Sequence, residues 1–187
     1  MFIMPQIKPN KNNFESFFTK GTEFMLSFEK YHPVLTAHLT LDWLTQTPVK
    51  AIDDLFSKPS ITTAKAEKMP SEILDTVKNI NHIMRLVMNG KELTWGMTDS
   101  NSQAFVGIVS LRGFEEAGNT GSIEFIIDQS HREYLAEAVQ RTVQFAKDHF
   151  DFKQITVTFS DASDQTRSAL TGIGFEESSK NQFTVEI

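Results

Sequence analysis

The stretch that decides the fold is IIDQSHREYLAEAVQRTVQFAKDHF, from Ile126 to Phe150. It opens with an apolar run typical of a strand, and apolar residues then recur at helical spacing, at Leu135, Ala138, Val139, Thr142, Val143 and Ala146. The pattern predicts a buried strand that runs directly into an amphipathic helix. Free N–H groups and the positive end of the dipole allow such a helix start to bind phosphate. Sites of this kind usually contain glycines, and this one has none.

The segments around this junction predict a mixed sheet. Before it, KELTWGM, QAFVGIVSL and GSIEFIID are strand patterns joined by hairpin residues, which favours an antiparallel meander. After the helix come a strand in KQITVTF, a short helix in SDASDQTRSALTGIG and a hairpin in FEESSKNQFTVEI. A strand, helix and strand in one sheet require a crossover and parallel pairing. We therefore expect a single α/β domain over residues 1–187, with QAFVGIVSL as a central strand.

The N-terminal half is harder to interpret. Residues 1–20 predict a polar lead, and EFMLSFE predicts a first strand with Phe24, Leu26 and Phe28 on one face. Leu35, Leu39 and Trp43 recur every four residues and predict a helix from Pro33 to about Thr45. Residues 48–70 predict an irregular, mobile segment with a short helix around Ile52 to Phe56.

A long amphipathic helix is expected after Pro70, with Ser71 as its N-cap. It should end at Asn89-Gly90, because glycine commonly follows a helix. Its apolar stripe consists of Ile73, Val77, Ile80, Met84 and Val87.

Composition excludes several classes of protein. The net charge of −6 leaves no excess of Lys and Arg for wholesale binding to nucleic acid or anionic membranes. No run approaches the roughly 18 apolar residues of a membrane span, and the N-terminus lacks the apolar core of a signal peptide. Zero cysteines exclude disulfides and thiolate chemistry. These features favour a cytoplasmic protein without a nucleic-acid or membrane partner. Both a monomer and a homodimer are compatible with the sequence.

Missing motifs narrow the chemistry further. The chain has no G-x-x-x-x-G-K-[ST], no G-x-G-x-x-G after a first strand, no G-x-S-x-G and no H-E-x-x-H. Its five histidines have no metal-ligand spacing, so no metal site is expected. His131 stands out among them because it opens the junction helix.

Three segments resemble the GNAT superfamily of N-acetyltransferases, in its branch of ribosomal-protein acetyltransferases RimJ and RimL. They are AFVGIVSL with Val106-Gly107 at the family's "IG" pair, GSIEFIIDQSHREYLAEAV, and SDQTRSALTGIGF with Gly174-Phe175 at its "GF" pair. The resemblance spans roughly residues 24–187. It implies a mixed, mostly antiparallel and splayed central sheet of about six to seven strands, flanked by helices.

The resemblance also implies a reaction and its site. Acetyl-CoA would be the co-substrate, with its pantetheine arm paired to backbone along Phe125, Ile126, Ile127 and Asp128. The pyrophosphate would lie on the helix start, which comprises His131, Arg132, Glu133, Tyr134 and Leu135. A primary amine on a peptide or small molecule would attack the thioester directly, and this requires a donor for the oxyanion and a proton source for the thiolate.

The pyrophosphate loop departs from the family's R/Q-x-x-G-x-G/A. Its three key positions hold Ser130, Glu133 and Leu135. Glycine suits such loops because backbone without a Cβ can approach phosphate closely. A carboxylate 4 Å from a unit negative charge costs about 1 kcal/mol in water and about 4 at an effective dielectric of 20. Either Glu133 turns outward and His131 or Arg132 supplies donors, or the loop no longer binds CoA.

Glu124 is the candidate general base, because it lies on the strand where some family members carry a glutamate that acts through water. A polar face or a buried ion pair is the competing interpretation. The family's tyrosine acid has no counterpart, since Leu170 occupies its place. Ser163 and Thr166 fall where RimL-like proteins often carry N-x-x-S, so they either contact the cofactor or, for Ser163, cap a helix.

Acidic residues in loops expected to flank the acceptor indicate a cationic acceptor, and solvated loop charges are the competing and simpler interpretation; these residues are Asp53, Asp54, Glu115 and Glu116. Two further hypotheses remain beside the acetyltransferase. One is a catalytically silent protein of the same fold that acts as a binding or regulatory module. The other is an unrelated α/β ligand-binding domain.

Overall fold

The computed structural model describes residues 28, 30–67, 69–115 and 119–187. Within these residues one sheet contains nine strands in the order β1-β2-β4-β5-β6-β7-β9-β8, and β3 pairs with β6 outside this path. The strands are β1 Val34–Leu35, β2 Leu39–Asp42, β3 Ser60–Thr62, β4 Leu93–Asp99, β5 Phe105–Arg112, β6 Thr120–Asp128, β7 Gln154–Thr158, β8 Glu176–Ser179 and β9 Gln182–Glu186. The helices are α1 Val49–Phe56, α2 Ile73–Met88, α3 Tyr134–His149 and α4 Asp164–Gly172. No helix in the described ranges is long and apolar enough to cross a membrane.

The predicted meander is confirmed. Strands β4, β5 and β6 pair antiparallel in sequence order, and β5 is central as its apolar sequence predicts. Gly107 on β5 has no room for a side chain. A Cβ there would clash with the carbonyl oxygen of Ile126 and lie 2.7 Å from Cε of Met97. The glycine of the Val106-Gly107 pair therefore lets β5 and β6 approach each other.

The junction is also confirmed, with one 3-10 turn, Gln129–His131, between β6 and α3. Five of the six residues predicted for the inner face of α3 are fully buried, and Val143 packs against the same core. The helix leads to β7, which pairs parallel to β6 as expected. The predicted C-terminal hairpin is β8 and β9.

The two faces of the sheet carry separate cores. Because side chains alternate along a strand, odd-numbered residues from Val109 of β5 and from Ile123 of β6 onward face α3, while even-numbered residues from Ile108 and Glu124 onward face α1 and α2. The core on the α3 side contains Trp95, Val109, Phe125 and Val139. The smaller core on the other side contains Ile52, Ile80 and Ile108. The side chain of Glu124, an even-numbered residue of β6, therefore lies on the α1–α2 side of the sheet.

The helix predicted from Pro33 to about Thr45 is wrong. This segment forms β1, β2 and a 3-10 turn over Leu44–Gln46, and Leu39 and Leu41 are both buried while Thr40 and Asp42 are half-buried. A spacing of four residues is two periods of a strand as well as about one turn of a helix. The recurrence of Leu35, Leu39 and Trp43 therefore does not distinguish them. The strand predicted over EFMLSFE lies outside the described residues except Phe28, which is buried.

The irregular segment predicted over residues 48–70 is also largely wrong. It contains α1, which confirms the short helix, but also β3 and a 3-10 turn over Ala64–Glu67. Helix α2 is N-capped by Glu72 rather than Ser71. Its stripe is buried at Ile80 and Val87, whereas Ile73 and Val77 are exposed. The three added strands β1, β2 and β3 bring the sheet above the six to seven strands expected.

Candidate active site

A V-shaped opening separates β6 from β7. Only the first three residues of β6 pair with β7, from Thr120 opposite Gln154 to Ser122 opposite Thr156. The rest of β6 continues to Asp128 and remains paired with β5 as far as Ile127. The backbone edge of β6 that faces β7 is therefore released from that partner along its C-terminal half.

Glu124 projects from β6 beside this opening into a cavity of about 210 Å³. Only 8% of the residue is exposed. Its carboxylate lies 3.4 Å from Nη2 of Arg112 and 3.5 Å from Nζ of Lys65. Its Oε1 has no hydrogen-bond partner within the described part of the chain. The sequence-based candidate thus lies in a cavity, and its Oε1 accepts no hydrogen bond but faces the Lys65 ammonium.

A second carboxylate shares the same guanidinium. Glu92 is 3% exposed, and its Oε2 lies 3.1 Å from Nη2 of Arg112. Burial raises the pKa of Glu92, opposed by Arg112 and by a hydrogen bond from Thr94. Sequence reasoning missed Glu92 and Arg112. Arg112 could have been found, because it ends β5 in phase with Ile108 and Ser110 and so lies on the Glu124 side.

The walls of the cavity come from β5, β6, α1 and α2. Phe56, Ile83, Leu86 and Ile108 supply apolar surface, and His82 lies on α2. The acidic residues expected near the acceptor lie elsewhere. Asp53 and Asp54 are in α1, where Asp53 accepts a hydrogen bond from Thr76 and Asp54 pairs with Lys50. Glu115 pairs with Lys91, and Glu116 is outside the described residues.

At the junction between β6 and α3, the Asp128 carboxylate accepts a hydrogen bond from the first free backbone N–H, that of Ser130. Oδ1 of Asp128 accepts hydrogen bonds from the backbone N–H and hydroxyl of Ser130, and Oδ2 lies 3.1 Å from Nζ of Lys58. Burial alone would raise the pKa of Asp128, but these hydrogen bonds and the Lys58 charge lower it to about 2. A phosphate at this turn would compete with a carboxylate that the chain itself supplies.

The other junction residues point in different directions. The Glu133 side chain is 59% exposed and lies 3.7 Å from Nδ1 of His131. Arg132 donates to the side chain of Gln165 on α4. The hydroxyl of Tyr134 donates to Asp99 at the end of β4. Glu133 therefore faces solvent, which is the outward orientation considered from the sequence.

Four of the predicted cofactor residues are brought together. Arg132, Leu135, Ser163 and Thr166 line a cavity of about 140 Å³ between α3 and α4, together with Ile61 of β3. Ser163 is the N-cap of α4, since its hydroxyl accepts a hydrogen bond from the Thr166 N–H at 3.2 Å. Within the described ranges, no group of His, Asp and Glu could hold a metal ion.

The edge assigned by resemblance to the pantetheine arm is already paired. Strand β3 lies antiparallel to it, with Ser60 opposite Asp128 and Thr62 opposite Ile126. In this conformation the backbone from Phe125 to Asp128 does not fit an added arm. The sequence did not indicate β3, because SIT is a short polar-apolar run inside a Lys- and Thr-rich stretch.

Known proteins resemble this chain in sequence family and in fold. Residues 38–176 match the family described as Acetyltransferase (GNAT) domain. A protein from Vibrio cholerae described as a ribosomal-protein-serine acetyltransferase has a similar structure, with a TM-score of 0.70 at 11% identity over 87% of this chain and 100% of that one. RimL, a ribosomal L7/L12 α-N-protein acetyltransferase solved with coenzyme A, gives 0.64 at 13% identity over 83% and 97%.

The microcin C7 self-immunity acetyltransferase MccE, solved with acetyl-CoA and AMP, gives a TM-score of 0.64 at 15% identity over 81% of this chain and 94% of that one. No curated protein matches the sequence. The structural likenesses establish the fold, and the family match covers most of the chain. The chain therefore belongs to the GNAT family of N-acetyltransferases, with a RimL-like fold.

Proposed function

We propose that the chain is an acetyl-CoA-dependent N-acyltransferase that moves an acetyl group to a primary amine on a protein N-terminus or a small molecule. The observation that carries this proposal is the position of Glu124. It lies in a cavity beside the opening between β6 and β7, with one carboxylate oxygen free of hydrogen bonds. A carboxylate held this way is suited to general base catalysis.

In the proposed reaction Glu124 takes a proton from the acceptor ammonium, directly or through water. The neutral nitrogen then attacks the thioester carbonyl. The C–N bond forms, the C–S bond breaks, and the nitrogen gives up its second proton as the departing thiolate takes one up. The net reaction releases one proton, which leaves through Glu124. Arg112 holds the carboxylate in place through Oε2.

The cavity favours an amine on an apolar stem. Two carboxylates, Glu92 and Glu124, face two cations, Arg112 and Lys65, so their formal charges balance. Apolar side chains from α1 and α2 supply the opposite wall. A primary amine would find its proton acceptor at Glu124 and bury its stem against this wall.

The test is thiol release from acetyl-CoA in the presence of a panel of amines and peptides. For an accepted amine, Glu124→Gln should lower the rate by about 100-fold or more, the usual contribution of a general base. Glu115→Gln is a matched control, because Glu115 pairs with Lys91 at the surface and does not line the cavity. A Glu124→Gln variant with the full rate would remove Glu124 from the mechanism.

A catalytically silent GNAT-fold protein with weak or no CoA binding is the second candidate. The pairing of β3 with the edge of β6 and of Asp128 with the Ser130 N–H favours it. This candidate predicts no thiol release with any amine and no binding of CoA up to millimolar concentration.

A further inference from the structure

Residues 58–63, which we call the blocking segment, are bonded along the edge of β6 that faces the opening. The Gln129 N–H donates to the Pro59 carbonyl at 2.9 Å, and the Thr63 N–H donates to the Phe125 carbonyl at 3.2 Å. The Phe125 N–H in turn donates to Oγ1 of Thr63 at 3.3 Å. The segment therefore uses backbone groups of β6 from residue 125 to residue 129.

The register between β3 and β6 determines which residue of β3 donates a backbone hydrogen bond to β6. Paired residues in an antiparallel ladder alternate between hydrogen-bonded and non-hydrogen-bonded pairs. Because the pairs at Thr63 and Pro59 are bonded, the pair Ile61 with Ile127 between them is bonded too. The Thr62 N–H points to the other edge. Each backbone N–H of β6 donates once, so an added ligand strand and the blocking segment exclude each other.

The blocking segment also contacts both charged sites. At its start Lys58 binds Asp128, the carboxylate that accepts from the Ser130 N–H. Just beyond its end, Lys65 lies 3.5 Å from Glu124. Displacement of this segment would thus remove a cation from the helix start and another from the candidate base at the same time.

The middle of the blocking segment is less buried than its end, where Thr63 is 1% exposed. Strand β3 has three residues, all half-buried, and among the described residues it pairs with β6 alone. The Lys58 and Lys65 side chains are more than half exposed. Short edge strands of this kind open locally at a low free-energy cost.

We propose that the blocking segment is an intramolecular competitor of the acyl-CoA arm. The arm binds the edge of β6 only when residues 58–63 leave it, and the same movement takes Lys65 away from Glu124. Binding of acyl-CoA and release of the base from its ion pair are then a single event. This inference rests on the proposed function, since it requires that the chain bind acyl-CoA.

The test is calorimetric titration of the full chain with CoA, in wild type and two proline variants. Ile61→Pro removes a ladder N–H and should tighten CoA binding about tenfold, because apparent affinity rises with the fraction of molecules whose edge is free. Thr62→Pro is the matched control, with the same ring one residue later and no ladder bond to β6 lost. It should bind like wild type.

Hydrogen exchange of the wild type provides a second measurement that needs no variant. On addition of CoA, peptides covering residues 58–63 should lose protection while those covering residues 125–129 keep it. Binding of CoA with unchanged protection of residues 58–63, or equal affinity in all three proteins, would overturn the blocking role and leave the acetyltransferase intact. Absence of CoA binding even in folded Ile61→Pro would overturn both the blocking role and the use of CoA.

Discussion

At the scale of single residues, two of the three replaced loop positions have a structural role. Leu135 is buried in the core on the α3 side. Ser130 gives its N–H and its hydroxyl to Asp128. Glu133 is exposed and lies near His131. The N–H groups of Ser130 and Leu135 thus donate to Asp128 and to the Arg132 carbonyl within the chain.

Glu133→Gly should keep or strengthen CoA binding. Because the carboxylate is exposed and screened by solvent, its removal should improve affinity by no more than about fivefold. Glycine is also tolerated at a helix N-cap, the position that Glu133 occupies. The dissociation constant for CoA measures the effect, with Glu133→Gln as the control that removes charge alone. Weaker binding in the glycine variant would show that the side chain holds the ligand or the turn.

At the scale of elements, β5 and β6 approach each other closely at Gly107. Gly107→Ala should destabilise the protein by about 1–3 kcal/mol, since the added methyl meets the Ile126 carbonyl on a strand that is fixed on both sides. Urea denaturation followed by circular dichroism measures the change.

The control for Gly107→Ala is Gly172→Ala, at the end of α4, where a Cβ would meet nothing within 4 Å. Alanine in a helix is favoured over glycine, so this variant should be neutral or stabilising by up to about 1 kcal/mol. Equal loss of stability in both variants would contradict the role assigned to the close approach of β5 and β6.

At the scale of the whole molecule, a side-chain hydrogen bond connects helix α3 to strand β4. Tyr134, the first residue of α3, donates to Asp99 at the end of β4. That bond, with the backbone N–H groups of Ser102 and Asn101, lowers the pKa of Asp99 from 3.8 to about 2. The same bond, with desolvation and the Asp99 charge, raises the pKa of Tyr134 from 10.0 to about 12.

The pair should stabilise the fold over a defined pH window. The lowered pKa of Asp99 gives stability that is present above pH 4 and lost as the pH falls through about 2. The raised pKa of Tyr134 gives stability that is present below pH 10 and lost as the pH rises through about 12. Tyr134→Phe should therefore be less stable than wild type at neutral pH, with the difference shrinking at both extremes.

Ultraviolet titration tests the tyrosine directly, because the chain has only two tyrosines. In a Tyr31→Phe variant the remaining phenol should ionise near pH 12. A midpoint near pH 10 would show that the bond to Asp99 does not persist in solution.

The sequence by itself determined the second half of the molecule. From Leu93 onward, strands and helices differ in period, and glycines or hairpin residues mark their ends, so local pattern and tertiary structure agree. The orientation of Glu124 could also be predicted from the sequence, because alternation along SIEFII places its side chain on the face opposite to Ile123 and Phe125.

Only the tertiary structure decided β1, β2 and β3, where the local patterns fit more than one conformation. It likewise decided the partners of Glu124, since Glu92, Arg112 and Lys65 come from three separate segments. Strand β3 forms because the divergence of β7 leaves an unpaired backbone edge on β6, and buried N–H and C=O groups require partners. Strand β3 and the edge of β6 that it covers lie more than fifty residues apart along the chain, so no window of local sequence contains both.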